Sequence, residues 1–130
     1  MNAGSAKQNP SMLDELFDAT GAGTGGKIEK WNPETGTIDR LFTFATLTGT
    51  ALNNGTKSNP CLLADLSGDW REEFIVRSAL DPSEVLIFTT PYSTTHRVTC
   101  LMQDPLYRLA IVTQNVAYNQ PPHLSYPLQE

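Results

Sequence analysis

The sequence predicts an all-β chain of antiparallel strands with one short helix near its C-terminal end. Three observations carry this expectation. Short runs that alternate or concentrate apolar residues recur along the chain. Turn-forming Asn, Pro and Gly separate these runs at intervals of about eight to twelve residues, the rhythm of a sandwich, barrel or propeller. One segment, DPLYRLAIVTQN, breaks that rhythm with a helix-start signal.

The first 26 residues form an N-terminal segment, expected to be partly flexible, that ends in the glycine-rich ATGAGTGG. Within it, SMLDELFD places Leu13, Leu16 and Phe17 at helical spacing and predicts one amphipathic turn or two. Residues 27–130 form the main body. KIEKW and TIDRLF, joined by NPETG, read as a hairpin. Residues 61–64 and 74–77 are strands around an acidic turn, and EVLIFTT and HRVTCLM are two more, with Pro91 stopping the first of these. In 104–115, Asp104 can cap a helix whose first position holds Pro105, where the missing N–H costs nothing, and Leu106, Leu109 and Ala110 share a face. The tail, AYNQPPHLSYPL, is proline-rich and expected to lie extended. Trp31 and Trp70 read as core residues.

Composition narrows the function. The 130 residues carry nine Lys and Arg against 14 Asp and Glu, a net charge of −5. The basic residues are scattered, which argues against nucleic acid, since phosphate contacts need clustered cations. No run approaches the roughly 20 apolar residues of a membrane span, and MNAGSAKQNPSM lacks the apolar stretch of a signal peptide. Cys61 and Cys100 have no metal-ligand spacing; buried thiols or a disulfide both fit them. His96 and His123 lack acidic or cysteine neighbours at ligand spacing.

The acidic turn ADLSGDWREE is the densest motif. Counting from Asp65, side-chain oxygens fall on the odd positions Asp65, Ser67, Asp69 and Glu73, with the Arg71 carbonyl in the remaining odd slot. In a tight loop, odd positions point inward, which is how calcium collects roughly six to eight hard oxygen ligands. Gly68 permits the curl. Crowded carboxylates need a cation, and calcium is the natural one; Arg71 or Arg77 could neutralise them instead.

Two longer runs, NNGTKSNPCLLADLSGDWREE and LMQDPLYRLAIVTQNVAYNQPPH, resemble the C-terminal part of the rhamnogalacturonan lyases of polysaccharide lyase family 11. The resemblance covers roughly residues 12–128. It implies an eight-bladed β-propeller with bound calcium, secreted to an extracellular setting, that cleaves rhamnogalacturonan I by β-elimination. A blade takes about 40 to 45 residues, so this chain would supply about two to three blades and need upstream blades to close the ring. The family's substrate-facing loop NGTK matches Asn54, Gly55, Thr56 and Lys57, so Lys57 is implied to bind the uronate carboxylate or to abstract the C5 proton. Tyr118 and Asn119 of AYNQPPH are implied to meet the sugar, Tyr118 through its ring and hydroxyl. Gln103 departs from the family, which often carries histidine there. The alternative is a noncatalytic, calcium-stabilised β module that binds plant polysaccharide, in which Lys57 is a solvated loop lysine and Tyr118 anchors the tail.

Overall fold

The computed structural model describes residues 4–6, 15–20, 25–44, 49–54, 57–116 and 118–128. Among them, strands β1 (Gly4–Ala6), β2 (Glu15–Ala19), β3 (Gly26–Asn32) and β4 (Thr37–Thr43) form one antiparallel sheet in sequence order. The expected helix in SMLDELFD is therefore corrected: its described half is β2. Glu15 and Phe17 are both buried, a period of two, because β2 lies against β3 with Phe17 opposite Ile28. The expected boundary at residue 26 falls inside this sheet, which β1 and β2 help to build.

The β3–β4 hairpin forms where the alternating runs place it. Asn32 sets its turn: its side-chain Oδ1 accepts from the Glu34 N–H at 3.0 Å and the Thr35 N–H at 3.3 Å. The turn closes on Gly36, whose φ of 67° suits a residue without Cβ. At Gly26, an added Cβ would lie 2.6 Å from the Phe17 ring, so glycine there is what lets β2 and β3 close on each other. Trp31, expected in the core, is 51% exposed, because it stands opposite Ile38 on the sheet face turned away from the rest of the fold.

The second sheet is centred on β7 (Glu73–Ser78), which pairs antiparallel with β5 (Thr50–Ala51), β6 (Leu62–Ala64) and β8 (Val85–Phe88). Between the sheets lies a core of Phe17, Ile28, Phe44, Leu52, Leu63, Phe74 and Val76. Its rings pack closely, Phe17 against Phe74 at 5.0 Å and Phe44 edge-on to Phe88 at 4.5 Å. Such pairs contribute about 0.5–1.5 kcal/mol each beyond their buried area. Glu15 is buried in the same region and lies 3.8 Å from the ammonium of Lys30.

The strand expected in HRVTCLM does not form. Residues 94–100 keep the alternating burial of an extended chain, but they pair with no strand among the described residues and end in a 3₁₀ turn, Leu101–Gln103. The period was legible; the partner was missing. Val98 and Met102 instead pack on a second core of Trp70, Leu101 and Tyr107.

The expected helix is present as α1 (Pro105–Thr113). Asp104 caps it, accepting from the Leu106 N–H at 3.0 Å, and Pro105 opens it. The packed face differs from expectation: Leu106 and Leu109 are exposed, whereas Tyr107 is buried and Ile111 leans on the same core. Two polar anchors decide this rotation. The Tyr107 hydroxyl is held under the acidic turn, and Gln114 just beyond α1 accepts from the Leu63 N–H while donating to the Leu63 carbonyl. The tail 120–124 is without regular structure, and Asp104 also accepts from the Ser125 N–H and hydroxyl. The described residues are all-β apart from this helix and short 3₁₀ turns. Among the described residues, no helix is long and apolar enough to cross a membrane.

Candidate functional site

The acidic turn, between β6 and β7, was the first candidate. Asp65 is 1% exposed, and its Oδ1 accepts from the Asp69 N–H at 3.0 Å. Its Oδ2 accepts from the N–H groups of Trp70 at 3.1 Å and Leu101 at 2.9 Å. Glu73 Oε2 accepts from the N–H groups of Leu66 and Ser67, and its Oε1 from the Thr89 hydroxyl. Asp69 turns back on Arg71, whose backbone N–H and guanidinium hold its two oxygens.

Every oxygen of these three carboxylates thus already faces a donor, and inward-pointing N–H groups stand where a cation would need lone pairs. Ser67 is exposed rather than folded into a cage. Among the described residues, no three His, Cys, Asp or Glu side chains are grouped to hold a metal ion. As placed, Asp65, Ser67, Asp69, Arg71 and Glu73 do not fit calcium, because the carboxylate oxygens are turned to the loop's own donors. Backbone dipoles and Arg71 supply the compensation that the crowded carboxylates require.

Two further features brace the turn. Trp70 is buried in a left-handed conformation, φ 69°, beside Gly68 at 74°. A tryptophan tolerates that backbone only where its surroundings hold it, and here the second core does. Tyr107 bridges the turn from below, donating to Glu72 at 2.6 Å and accepting from the Asp65 N–H at 2.9 Å. Burial, and then the Glu72 carboxylate, push its phenol far above the ordinary tyrosine range. Burial likewise raises the Cys100 thiol, with Asp65 nearby adding to the shift. Both cysteines are unpaired with each other and half-buried.

The second candidate is a corner built from two distant segments. Asn53 and Asn59 exchange backbone hydrogen bonds at 2.8 and 3.1 Å, closing the loop between them, and the Asn54 carbonyl accepts from the N–H groups of Lys57 and Ser58. Asn54 Nδ2 then donates to Asn119 Oδ1 at 3.2 Å, across 65 positions of sequence. Asn119 Nδ2 donates to the Cys61 carbonyl at 2.9 Å, and Asn59 Nδ2 to the Tyr118 carbonyl. The Lys57 ammonium lies 6.0 Å from the centre of the Tyr118 ring, at the outer limit of a cation–π contact.

Asn54, Lys57, Tyr118 and Asn119, all expected site residues, are thereby brought together. Gly55 and Thr56 lie outside the described residues. Lys57 is exposed and Tyr118 is 64% exposed, so both present to solvent. Four residues of the corner that are not glycine adopt positive φ: Asn54 (52°), Ser58 (56°), Tyr118 (61°) and Asn119 (52°). Left-handed backbone is common for Asn but unfavourable for Tyr, and such residues concentrate at functional sites. Sequence reasoning missed Asn59, whose amide holds Tyr118; its place before Pro60 gives no sign of a reach across the fold.

A groove of about 640 Å³, lined by Glu15, Leu41, Phe42, Phe88, Pro91 and Tyr92 among others, lies elsewhere and shares no residue with the corner.

The family described as rhamnogalacturonan lyase family 11, C-terminal domain, matches residues 6–130. The chain belongs to this family. It is 50% identical over 119 residues to the rhamnogalacturonan exolyase YesX of Bacillus subtilis, covering 90% of this chain and 19% of that protein. It is also 50% identical over 115 residues to the rhamnogalacturonan endolyase YesW of the same organism, covering 88% of this chain and 17% of that protein. The crystal structure of YesX superposes with a TM-score of 0.85 at 46% identity, over 97% of this chain and 20% of that one. The solved structure of the Bacillus licheniformis rhamnogalacturonan lyase PL11 does so at 0.84 and 40%, over 100% of this chain and 20% of that one. The chain thus spans about a fifth of the length of these family 11 relatives. Overall identity across this stretch does not separate an exolyase from an endolyase.

Proposed function

We propose that this chain forms one wall of the substrate cleft of a rhamnogalacturonan lyase, with the corner at Lys57 and Tyr118 as its sugar-binding surface. The observation that supports this most directly is the meeting of an exposed ammonium and an exposed aromatic ring from segments far apart in sequence. The backbone of rhamnogalacturonan I alternates rhamnose and galacturonate. An aromatic ring suits the apolar side of rhamnose, and an ammonium suits the galacturonate carboxylate.

β-Elimination removes the C5 proton of galacturonate, forms a C4–C5 double bond and expels the rhamnose oxygen from C4. Negative charge grows on the carboxylate as C5 loses its proton, so a cation held there lowers the barrier. In this proposal Lys57 meets that carboxylate, Tyr118 carries the neighbouring ring, and Asn54 and Asn119 hydrogen-bond sugar hydroxyls at the rim. Proton abstraction by Lys57 itself would need a desolvated amine, and the side chain is exposed; other groups of the cleft complete it. No step is routed through calcium at the acidic turn, whose oxygens are engaged by its own donors. The two sheets are read as consecutive propeller blades that pack on upstream blades, and the parent protein as extracellular; both rest on the family.

Fused to a complementary upstream part, the chain is expected to release unsaturated uronate from rhamnogalacturonan I, seen as rising ultraviolet absorbance, and Lys57→Ala to suppress it. No rise in the fused wild type would discard the lyase reading. Because the chain is a fifth of its relatives' length, the isolated chain is read as a noncatalytic binder of the same sugar.

A further inference from the structure

Asn59 is 2% exposed, among the most deeply buried polar side chains described. Its backbone is fixed twice to Asn53, at 2.8 and 3.1 Å, and Pro60 restricts it further. The side-chain amide leaves this fixed base and donates to the carbonyl of Tyr118, 59 positions away. Tyr118 and Asn119 both hold positive φ, a pair of conformations that a tyrosine does not keep unaided. The second strut, from Asn119 to the Cys61 carbonyl, fixes the neighbouring residue but not the Tyr118 carbonyl. Without the Asn59 amide, Tyr118 is free to return to an ordinary backbone, and its ring then leaves the Lys57 ammonium.

We propose that Asn59 is a positioning residue for the sugar-binding corner, its buried amide setting the distance between the Tyr118 ring and the Lys57 ammonium by holding the Tyr118 carbonyl. The inference rests on the reading of that corner as a sugar site. Asn59 touches no sugar; it acts through Tyr118.

The test uses this 130-residue chain and a rhamnogalacturonan tetrasaccharide as probe, with calorimetric affinities for wild type, Asn59→Ala, Tyr118→Ala, the double variant and Lys57→Ala. Asn59→Ala is expected to weaken binding about tenfold, and the double variant to bind no more weakly than Tyr118→Ala alone, as two residues acting through one contact do. Wild-type affinity in Asn59→Ala, or independent multiplication of the two losses, overturns the inference. If Lys57→Ala and Tyr118→Ala both bind like wild type, the sugar-site reading falls instead. A second measurement needs no sugar: NMR of the wild-type chain is expected to show a ring-current shift on the Lys57 side-chain methylenes that Tyr118→Ala removes. Should Asn59→Ala fail to fold, Asn59→Asp, which keeps the shape but removes the amide donor, takes its place, and a wild-type ring-current shift in it overturns the inference.

Discussion

The acidic turn and the Lys57–Tyr118 corner are both polar, both bent through left-handed residues, and both tied to a distant segment, yet they spend their polar groups in opposite directions. In the turn, Asp65, Asp69 and Glu73 aim at the loop's own donors. In the corner, backbone and amide bonds hold the frame while Lys57 and Tyr118 remain turned outward. Charge density alone does not tell whether a frame consumes its functional groups or displays them.

Substitutions can break this contrast, and the largest effect is expected in the turn. Asp65→Ala strips the acceptor from three backbone N–H groups, those of Asp69, Trp70 and Leu101. A loss on the order of 3–5 kcal/mol is expected in urea unfolding, and a loss near zero would mean that the turn is not the structural element described. Tyr107→Phe removes one donor to Glu72 and one acceptor for Asp65, and should cost about 1–3 kcal/mol by the same measurement.

The corner should respond in the reverse manner. Lys57→Ala is expected to weaken oligosaccharide binding about tenfold while leaving stability within about 0.5 kcal/mol of wild type; equal losses in both would erase the distinction between display and consumption. Smaller still is a pH effect at the helix start. The Ser125 N–H, followed by the Leu106 N–H and the Ser125 hydroxyl, holds the Asp104 carboxyl below its ordinary value. A depressed carboxyl contributes stability that is complete above its unfolded-state pKa and is lost as pH falls through the lowered folded value. Asp104→Asn, which still caps but cannot titrate, is expected to flatten the acid limb of the stability curve, read from melting temperatures across a pH series. The smallest expected effect is none: a calcium chelator should leave the NMR amide shifts of Asp69, Trp70 and Leu101, whose N–H groups meet Asp65, unchanged, and a marked change would restore a metal to the acidic turn.

The sequence made the β3–β4 hairpin, the α1 start and the central strand β7 legible, because Asn-Pro-Gly turns, an Asp-Pro cap and alternating burial are local signals. It failed where distant partners decide. SMLDELFD has helical spacing on paper, but pairing along β3 made its described half a strand. HRVTCLM has strand spacing without a neighbouring strand, and α1 rotated to place Tyr107 rather than Leu106 inward because a hydroxyl was needed beneath Asp65. The corner residues were identified through the resemblance, while the amide of Asn59 that frames them gave no local sign. The acidic turn illustrates the same limit from the other side: odd spacing shows which oxygens can converge, but not that Leu101, far along the chain, brings an N–H to the same carboxylate.

The burial of Trp70 against the exposure of Trp31 gives the molecule two natural fluorescent reporters in different surroundings. A water-soluble quencher should silence the indole of the outer sheet face first, leaving the remaining emission to follow the acidic turn alone. Loosening of that turn could then be watched optically, with no label attached.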